Sequence, residues 1–157
     1  MSLNTFERLK DWSDSRGISQ QLLPQQDYGL VSEVLLEVHS RLQNRGISGY
    51  ILNKLEELEE YAIAMHGGHE NDVIDAIADS MVFDSTELVK MEYDIEKTTD
   101  EVLNVVESRT GEWNESLGKF MKDKSPEAQA RWYKPDYIAR CKAPVNYTGS
   151  LFEHGGQ

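Results

Sequence analysis

Six carboxylates in two neighbouring stretches of the sequence have a spacing that suits metal-ion chemistry. They are Glu56, Glu57, Glu60, Asp72, Asp75 and Asp79. At 100° per residue, the glutamates fall on one side of a first helix and the aspartates on one side of a second. The connection, residues 66–71, is short and contains two glycines, so we expect antiparallel, adjacent helices. The two acidic stripes are then predicted to face a common space.

The ligand type narrows the choice of ion. A set made only of carboxylates, with no cysteine, favours oxygen-preferring ions such as Mg²⁺ or Mn²⁺ over Zn²⁺. The nearest alternative, a di-iron site, uses Glu-x-x-His on two helices, and none of the four histidines has a glutamate three residues before it. His66 and His69 flank the connection and are interpreted as loop residues. For residues 56–60 taken alone, a merely solvated acidic face remains the alternative.

Asp75 is the carboxylate with the most unusual sequence context. It lies between Ile74 and Ala76 in a run of residues that favour burial, and aspartate is a mediocre helix former. No lysine or arginine occurs between Lys54 and Lys90 to pair with it. A cation from solution is therefore the expected partner.

These residues resemble a family, the all-α nucleoside triphosphate pyrophosphohydrolases, which include MazG-like proteins, dimeric dUTPases and phosphoribosyl-ATP pyrophosphohydrolases. The family motifs are Glu-Glu-x-x-Glu on one helix and Glu-x-x-Asp on the next, and residues 56–60 and 72–75 are similar to them. Asp72 occupies a position where the family has glutamate, so its carboxylate is carried on a shorter side chain. The resemblance extends with gaps from about Trp12 to Arg109, and the tail looks like that of phage-encoded members.

The resemblance implies an enzyme that hydrolyses a nucleoside or deoxynucleoside triphosphate to the monophosphate and pyrophosphate, in nucleotide house-cleaning or phage dNTP metabolism. It implies Mg²⁺ as cofactor, with Mn²⁺ as a substitute, bound as two ions that activate water and steady the transition state. The implied metal ligands are Glu57, Glu60, Asp72 and Asp75, with Asp79 and Glu56 as outer ligands or water orienters. Either Glu56 or Glu57 is expected to be the catalytic base.

Two substrate contacts are also implied by the resemblance. Residues 12–18 are similar to the Trp-x-x-x-Arg-Gly-Ile opening of several family members, so Trp12 is a candidate for stacking on the base, with core packing as the alternative. Related phage-type sequences carry Asn and Lys as phosphate contacts near residues 106–109. Here Val106 and Arg109 correspond to them, so Arg109 is expected to replace the lysine and the Asn contact is missing.

The last third of the sequence mixes cations, aromatic residues and prolines. We predict a catalytic domain over residues 1–110 and a basic, aromatic extension over residues 111–157 packed on the same domain. The extension could be a lid whose lysines reach the phosphates of the substrate, or a strap that only packs against the helices. The candidate phosphate-binding lysines are Lys119, Lys122 and Lys124.

Apolar periodicity predicts an all-α fold, a bundle of about five helices with a central antiparallel pair that carries the acidic motifs. The five helices are expected over residues 5–15, 27–44, 49–65, 71–91 and 96–108. Ile51, Leu52, Leu55, Leu58 and Ala62 are predicted to face inward from the third helix. The fourth helix is nearly apolar from Ala76 to Phe83, so we expect a second copy to cover part of it, in a homodimer or a dimer of dimers.

The net charge of −12 is unevenly distributed along the 157 residues. Residues 1–108 carry 22 acidic against 8 basic residues, whereas residues 109–157 carry 6 against 8. An acidic body argues against nucleic-acid binding, which requires a basic face. The basic tail is instead suited to the anionic end of a nucleotide.

The sequence contains no apolar run near the roughly 18 residues of a membrane span and no basic-then-apolar leader, so we expect no membrane partner. The single cysteine, Cys141, excludes an intramolecular disulfide. It fits a reducing cytoplasm, that of the host if the protein is phage-encoded.

Two other classes of function remain open. An acidic helical interaction module would bind a basic partner weakly and in a salt-sensitive way, with no requirement for metal. A divalent-ion-binding protein would hold the metal without turnover, although the sequence has no EF-hand pattern.

Overall fold

The computed structural model of the chain describes residues 4–21 and 25–144. This part is mostly helical, which confirms the all-α class with about five main helices. The α-helices are α1 (Thr5–Ser15), α2 (Tyr28–Gln43), α3 (Tyr50–Gly67), α4 (Glu70–Lys90), α5 (Ile95–Glu107), α6 (Pro126–Ala130) and α7 (Tyr137–Arg140). Within the described ranges, no helix is both long enough and apolar enough to pass through a membrane.

The ends of the main helices lie within two residues of their predicted positions, and several of them are fixed by capping residues. Asn4 forms a capping box with Glu7 at the start of α1, and Asp27 and Asp94 cap α2 and α5 by accepting backbone N–H bonds. Gly68 ends α3 in the left-handed conformation (φ 72°), which glycine adopts without steric cost. His66, predicted in the connection, therefore lies in the last turn of α3.

The chain divides into two compact units. One consists of residues 25–91 and contains α2, α3 and α4; the other combines residues 1–24 with residues 92–157. We call them the acidic unit and the closing unit. The predicted division into a catalytic domain ending at residue 110 and an extension is a functional one and stays a prediction. The last residues of that extension, 145–157, lie outside the described ranges.

In the acidic unit, α3 packs against both α2 and α4. Early residues of α3 meet late residues of α4: the Tyr50 hydroxyl donates to Asp84 (2.7 Å), and the Lys54 ammonium bonds the Ser80 hydroxyl and forms an ion pair with Asp84 (3.0 Å). These contacts make α3 and α4 an antiparallel pair, as the short connection predicted.

The inward face of α3 is only partly as predicted. Leu52 and Ala62 are buried, but Ile51 and Leu58 are 55% and 48% exposed, so the prediction is wrong for these two residues. Their positions, seven residues apart, fall on the side of α3 that neither α2 nor α4 covers. An apolar stripe in a sequence shows that a face avoids water, but it does not show whether the same chain covers it.

In the closing unit, α1 and α5 are joined by an arginine network. The Arg8 guanidinium donates to Glu107 (2.7 Å), Asn104 (2.9 Å) and Asp100 (3.3 Å), which lie along one side of α5. Leu103 on α5 and the Cys141 side chain are almost completely buried in this unit.

An antiparallel hairpin follows α5, with strands β1 (Gly111–Asn114) and β2 (Lys119–Lys122). The sequence did not predict it. Trp113 lies opposite Phe120 in the register of the two strands. Gly111 is required at the start of β1 because a Cβ there would clash with the carbonyl oxygen of Met121. Two four-residue strands are too short to give a clear alternating pattern.

A buried carboxylate fastens the segment after the hairpin to α5. Glu101 is 5% exposed and accepts hydrogen bonds from the Tyr133 hydroxyl (3.0 Å) and the Asp136 backbone N–H (2.9 Å). The Arg140 guanidinium also lies 3.3 Å from the same carboxylate. Glu101 is therefore the shared acceptor for three separate points of this segment.

We expect Glu101→Ala to destabilise the protein by about 2 kcal/mol, because it removes the buried acceptor that three partly buried or exposed donors share. Urea denaturation followed by circular dichroism measures the change. Glu115→Ala, in the exposed hairpin loop, is the control and should cost less than about 0.5 kcal/mol. Equal midpoints for the two variants would show that Glu101 does not hold the segment.

Candidate functional site

Glu57 is the most deeply buried of the predicted metal ligands. It lies in the middle of α3, its side chain is 6% exposed, and its Oε2 atom is buried without a hydrogen-bond partner. A carboxylate oxygen removed from water and left without a donor is costly. This position therefore needs a proton or a cation.

Other carboxylates surround Glu57 from both helices. Burial is the largest cause that raises the pKa of Glu57, and the negative charges of Glu60, Asp79, Glu56 and Asp75 raise it further. We call these five residues the acidic cluster. The helix pair thus brings together the two predicted stripes, apart from Asp72.

Asp72 lies in the first turn of α4, about one helical turn before Asp75. It is exposed, and it is not among the charges that raise the pKa of Glu57. Asp75 is in the cluster but is also exposed, as are Ile74 and Ile77 beside it. The buried surroundings expected for Asp75 are therefore not present within a single copy of the chain.

Lys54 is the nearest basic residue in the sequence, three positions before Glu57. Its ammonium group points along the helix pair to Ser80 and Asp84 instead. In the described part of the chain, no ion pair reaches any member of the acidic cluster. The cluster therefore carries its negative charge without a basic partner.

The cluster fits a divalent cation in its chemistry. Its donors are all carboxylate oxygens, and Oε2 of Glu57 lacks a partner. Over residues 4–21 and 25–144, no group of three or more His, Cys, Asp or Glu side chains is gathered closely enough to hold a metal ion. The exposed side chains of Glu56, Glu60, Asp75 and Asp79 make no hydrogen bond there, so rotation about their side-chain bonds can bring them inward.

Glu59 is a buried carboxylate that the sequence did not single out. It is 7% exposed, and its Oε1 atom lies 2.7 Å from Nδ1 of His39 on α2. Two residues after Glu57 on a helix, it points towards α2 and away from the cluster. Since its partner is 20 positions away on another helix, no local sequence signal marks this pair.

The predicted aromatic and cationic substrate contacts lie in the closing unit. The Trp12 indole N–H donates to the carbonyl of Val106 (3.3 Å), and the Arg16 guanidinium lies over the Trp12 ring at 5.4 Å. Arg109 is half-buried, with its guanidinium over the Trp132 ring at 5.4 Å. Both predicted residues thus contact aromatic or backbone groups of the same unit.

The three candidate lysines do not form one cationic surface. Lys119 and Lys122 are exposed on β2, and Lys124 is exposed just after it. Because side chains alternate along a strand, Lys119 and Lys122 point to opposite faces of the hairpin. At most one of them can therefore face any given ligand from the strand.

No protein-family model matches this sequence, and no curated protein or solved structure matches it. The case for a function therefore depends on the geometry of the acidic cluster and on the motifs.

The raised pKa of Glu57 predicts a pH-dependent stability. A carboxyl group with a raised pKa in the folded chain binds its proton more tightly there, so folding loses stability as pH rises above the ordinary value of 4.5. We expect Glu57→Gln, without divalent cations, to melt at a higher temperature than the parent at pH 8. At pH 4, where the parent carboxyl is mostly protonated in both states, the difference should become much smaller.

Glu33→Gln is the matched control, since Glu33 is an exposed glutamate on α2 in the same unit. Its melting temperature should follow that of the parent at both pH values. A Glu57→Gln protein that is less stable than the parent at pH 8 would contradict the repulsion within the cluster.

Proposed function

We propose that the acidic cluster is the metal-binding centre of a nucleoside triphosphate pyrophosphohydrolase. The observation that carries the proposal is the Glu57 carboxylate, which is buried, has one oxygen without a partner, and is surrounded by acids from two helices. A divalent cation relieves both the repulsion and the missing hydrogen bond. Mg²⁺, with Mn²⁺ as a substitute, is the proposed ion because the donors are carboxylates.

The proposed reaction is the attack of water on the α-phosphorus of a nucleoside or deoxynucleoside triphosphate, which releases pyrophosphate. The resemblance of the paired motifs to the all-α pyrophosphohydrolases supports this choice. Bound divalent ions would supply charge neutralisation for the phosphates and a water of lowered pKa. A house-cleaning role or a role in phage dNTP metabolism, in the cytoplasm of the cell or host, follows from the same resemblance.

The carboxylates have separate tasks in this proposal. Glu57, buried in the helix interface, would hold the metal, and the exposed Glu60, Asp75 and Asp79 would supply further carboxylate ligands. Glu56, exposed beside Glu57, accepts the proton of the attacking water. Asp72, one turn before Asp75 and outside the cluster, is proposed as a ligand only on the resemblance of the motif.

The proposed substrate contacts depend on the resemblance and on charge. They are Trp12, Arg109, Lys119, Lys122 and Lys124. Trp12 would offer its ring to the base and the cations would contact phosphates, although Arg16 already covers one face of the Trp12 ring.

A panel of nucleoside and deoxynucleoside triphosphates, incubated with Mg²⁺ and assayed for pyrophosphate, tests the proposed function. Pyrophosphate and a monophosphate should form together, and EDTA should stop the reaction. Orthophosphate as the first product would contradict cleavage between the α and β phosphates. If the protein binds Mg²⁺ but turns over no substrate, the alternative of a divalent-ion-binding protein is favoured. If it binds basic proteins in a salt-sensitive way without metal, the alternative of an interaction module is favoured.

Asp75→Asn tests the metal centre directly, since it removes one charge and keeps the shape. Without metal, the variant should be at least as stable as the parent because repulsion in the cluster decreases. The stabilisation by Mg²⁺ should fall sharply, since a ligand that binds only the folded state stabilises it by RT ln(1 + [L]/Kd). Turnover should decrease by about two orders of magnitude or more.

Glu70→Gln, on the same helix but outside the cluster, is the control for Asp75→Asn. It should keep both the Mg²⁺-induced shift in melting temperature and the pyrophosphate release. If Asp75→Asn also keeps both, Asp75 is a solvated residue and the metal centre is elsewhere or absent.

The same helix layer has an apolar side that fits the proposed homodimer. Successive helix residues are 100° apart, so Ile74, Ile77 and Met81 fall within about 60° of arc on α4, on the other side of the helix from Asp75 and Asp79. Comparable exposed apolar stripes occur on α2 and α3, whereas exposed Ile63 and Val82 fall on the acidic sides of α3 and α4. The residues of these three stripes are Leu30, Val34, Val38, Ile51, Leu58, Ile74, Ile77 and Met81.

A second copy of the chain is the proposed occupant of this apolar side. Two copies of a chain with net charge −12 repel each other least through a face that carries no acidic cluster. A two-fold pairing would place the same apolar stripes opposite one another. It would leave the acidic cluster of each copy open to substrate.

We therefore expect a dimer, or a dimer of dimers, by light scattering at micromolar concentration. Ile77→Asp should shift the mass towards the monomer, because it places a charge in the apolar interface. Leu117→Asp, at an exposed leucine of the hairpin loop, is the control and should leave the mass unchanged. A monomeric parent protein would refute the pairing.

A further inference from the structure

Four polar side chains, Tyr50 and Lys54 on α3 and Ser80 and Asp84 on α4, form a contact that we call the helix clamp. The Lys54 ammonium lies 3.0 Å from one carboxylate oxygen of Asp84 and 3.1 Å from the other, and it donates to the Ser80 hydroxyl. The Tyr50 hydroxyl donates to the same carboxylate (2.7 Å). Burial raises the pKa of Asp84, but the hydrogen bonds from Tyr50 and Lys54 outweigh this effect and hold the pKa below its ordinary value.

The helix clamp lies next to the acidic cluster on both helices. Lys54 precedes Glu57 by three residues on α3, and Ser80 directly follows Asp79 on α4. At a rise of 1.5 Å per residue, Lys54 is only about 5 Å from Glu57 along the helix axis, whereas Gly67 at the end of α3 is about 15 Å away. The clamp is therefore much closer to the cluster than the covalent connection between the two helices.

Apolar packing contributes little to holding the second half of α4. Ala76 is the one fully buried residue of this helix, and every later residue of α4 is at least partly exposed. Phe83 is half-buried, while Met81 and Val82 are exposed. Because little apolar surface leaves water here, the hydrogen bonds and the ion pair of the clamp are the specific contacts that join this half of α4 to α3.

Repulsion within the acidic cluster acts against the clamp. Glu57 and Glu60 on α3 and Asp75 and Asp79 on α4 carry like charges, which push the two helices apart. The connection limits this separation at one end of the pair, and the clamp limits it on the other side of the cluster. Without the clamp, we expect the second half of α4 to move outwards and to carry Asp79 away from Glu57.

We propose that Lys54 is a positioning residue for the acidic cluster: through Ser80 and Asp84 it holds Asp79 beside Glu57 and so strengthens the binding of divalent cations. This role rests on the metal centre proposed above and adds a residue that touches neither metal nor substrate. The bare positive charge of Lys54 has the opposite effect, because it repels Mg²⁺. Position and charge therefore predict changes of opposite sign when Lys54 is replaced.

Titration calorimetry of the full chain with Mg²⁺, without nucleotide, tests the proposal on Lys54→Met. If Lys54 positions the cluster, the variant should bind Mg²⁺ about tenfold more weakly than the parent, a typical effect of removing a group that orients metal ligands. If Lys54 acts only as a nearby charge, the variant should bind Mg²⁺ more tightly. Unchanged or tighter binding would overturn the positioning role alone. A parent protein that binds no Mg²⁺ would overturn the metal centre and this role with it.

The Mg²⁺-induced shift in melting temperature separates positioning from a merely structural role. If Lys54 only stabilised the fold, Lys54→Met would lower the melting temperature equally with and without Mg²⁺. We expect the Mg²⁺-induced shift itself to become smaller, because a more weakly bound ion stabilises the folded state less. A full shift in Lys54→Met would contradict the proposal.

Lys54→Arg and Ser80→Ala are the companion variants. Lys54→Arg keeps the positive charge and the donors, so it should recover most of the Mg²⁺ affinity that Lys54→Met loses. Ser80→Ala removes one acceptor of the clamp without changing any charge, and it should weaken Mg²⁺ binding in the same direction as Lys54→Met. If Ser80→Ala has no effect and Lys54→Arg binds as weakly as Lys54→Met, the clamp does not position the cluster.

Asp84→Asn provides an independent test if Lys54→Met does not fold, with Glu87→Gln as its matched control. Both substitutions remove one negative charge from the last two turns of α4, but Glu87 pairs with Lys90 (3.4 Å), outside the clamp. Asp84→Asn should weaken Mg²⁺ binding about tenfold, whereas Glu87→Gln should leave it within about twofold, as expected for a screened charge. Equal affinities of these two variants would overturn the proposal.

Discussion

The packing of α3 against α4 brings carboxylates of both helices towards one another. The repulsion between their negative charges is the constraint from which the chemistry of the acidic unit follows. Glu57 lies where the helices touch, so its carboxylate loses water without gaining a donor. Lys54, the one nearby base, is already used to join the helices through Asp84. The helix pair is thus held together at one end by an ion pair and left with excess negative charge in its middle.

The same three-helix layer places much of its exposed apolar surface away from the acidic cluster. Helical periodicity puts the exposed members of the cluster on one side of α3 and α4 and Ile51, Ile74 and Ile77 on the other. Exposed Ile63 and Val82 are the exceptions, since they fall on the acidic sides of α3 and α4. The core between the helices is made largely of small side chains such as Ala62, Ala64 and Ala76, which allow close helix approach. A layer of this kind buries few large residues by itself, and several of its large apolar side chains stay exposed.

Much of the helical fold could be predicted from the sequence, because its signals are local. Caps such as Asn4 and Asp94 and the left-handed Gly68 fix helix ends through hydrogen bonds within a few residues. The hairpin could not be predicted in the same way, because its strands are short and depend on the pairing of Trp113 with Phe120. The exposure of Ile51 and Leu58 could not be predicted either, because it depends on which helices pack against α3.

In the candidate site, too, the features that depend on nearby residues in the sequence could be predicted, and those that depend on another helix could not. Spacing alone brings Glu56, Glu57 and Glu60 to one side of α3, and the short connection then sets Asp75 and Asp79 opposite them. Which of these oxygens loses its water depends instead on the depth of each position in the helix interface, and the sequence contains no measure of that depth. Glu57 and Glu59 illustrate the point: both are buried glutamates, two positions apart, yet His39 satisfies Glu59 across α2 while Glu57 faces only like charges. The difference between a structural carboxylate and a candidate metal ligand is therefore made by the partner on the neighbouring helix.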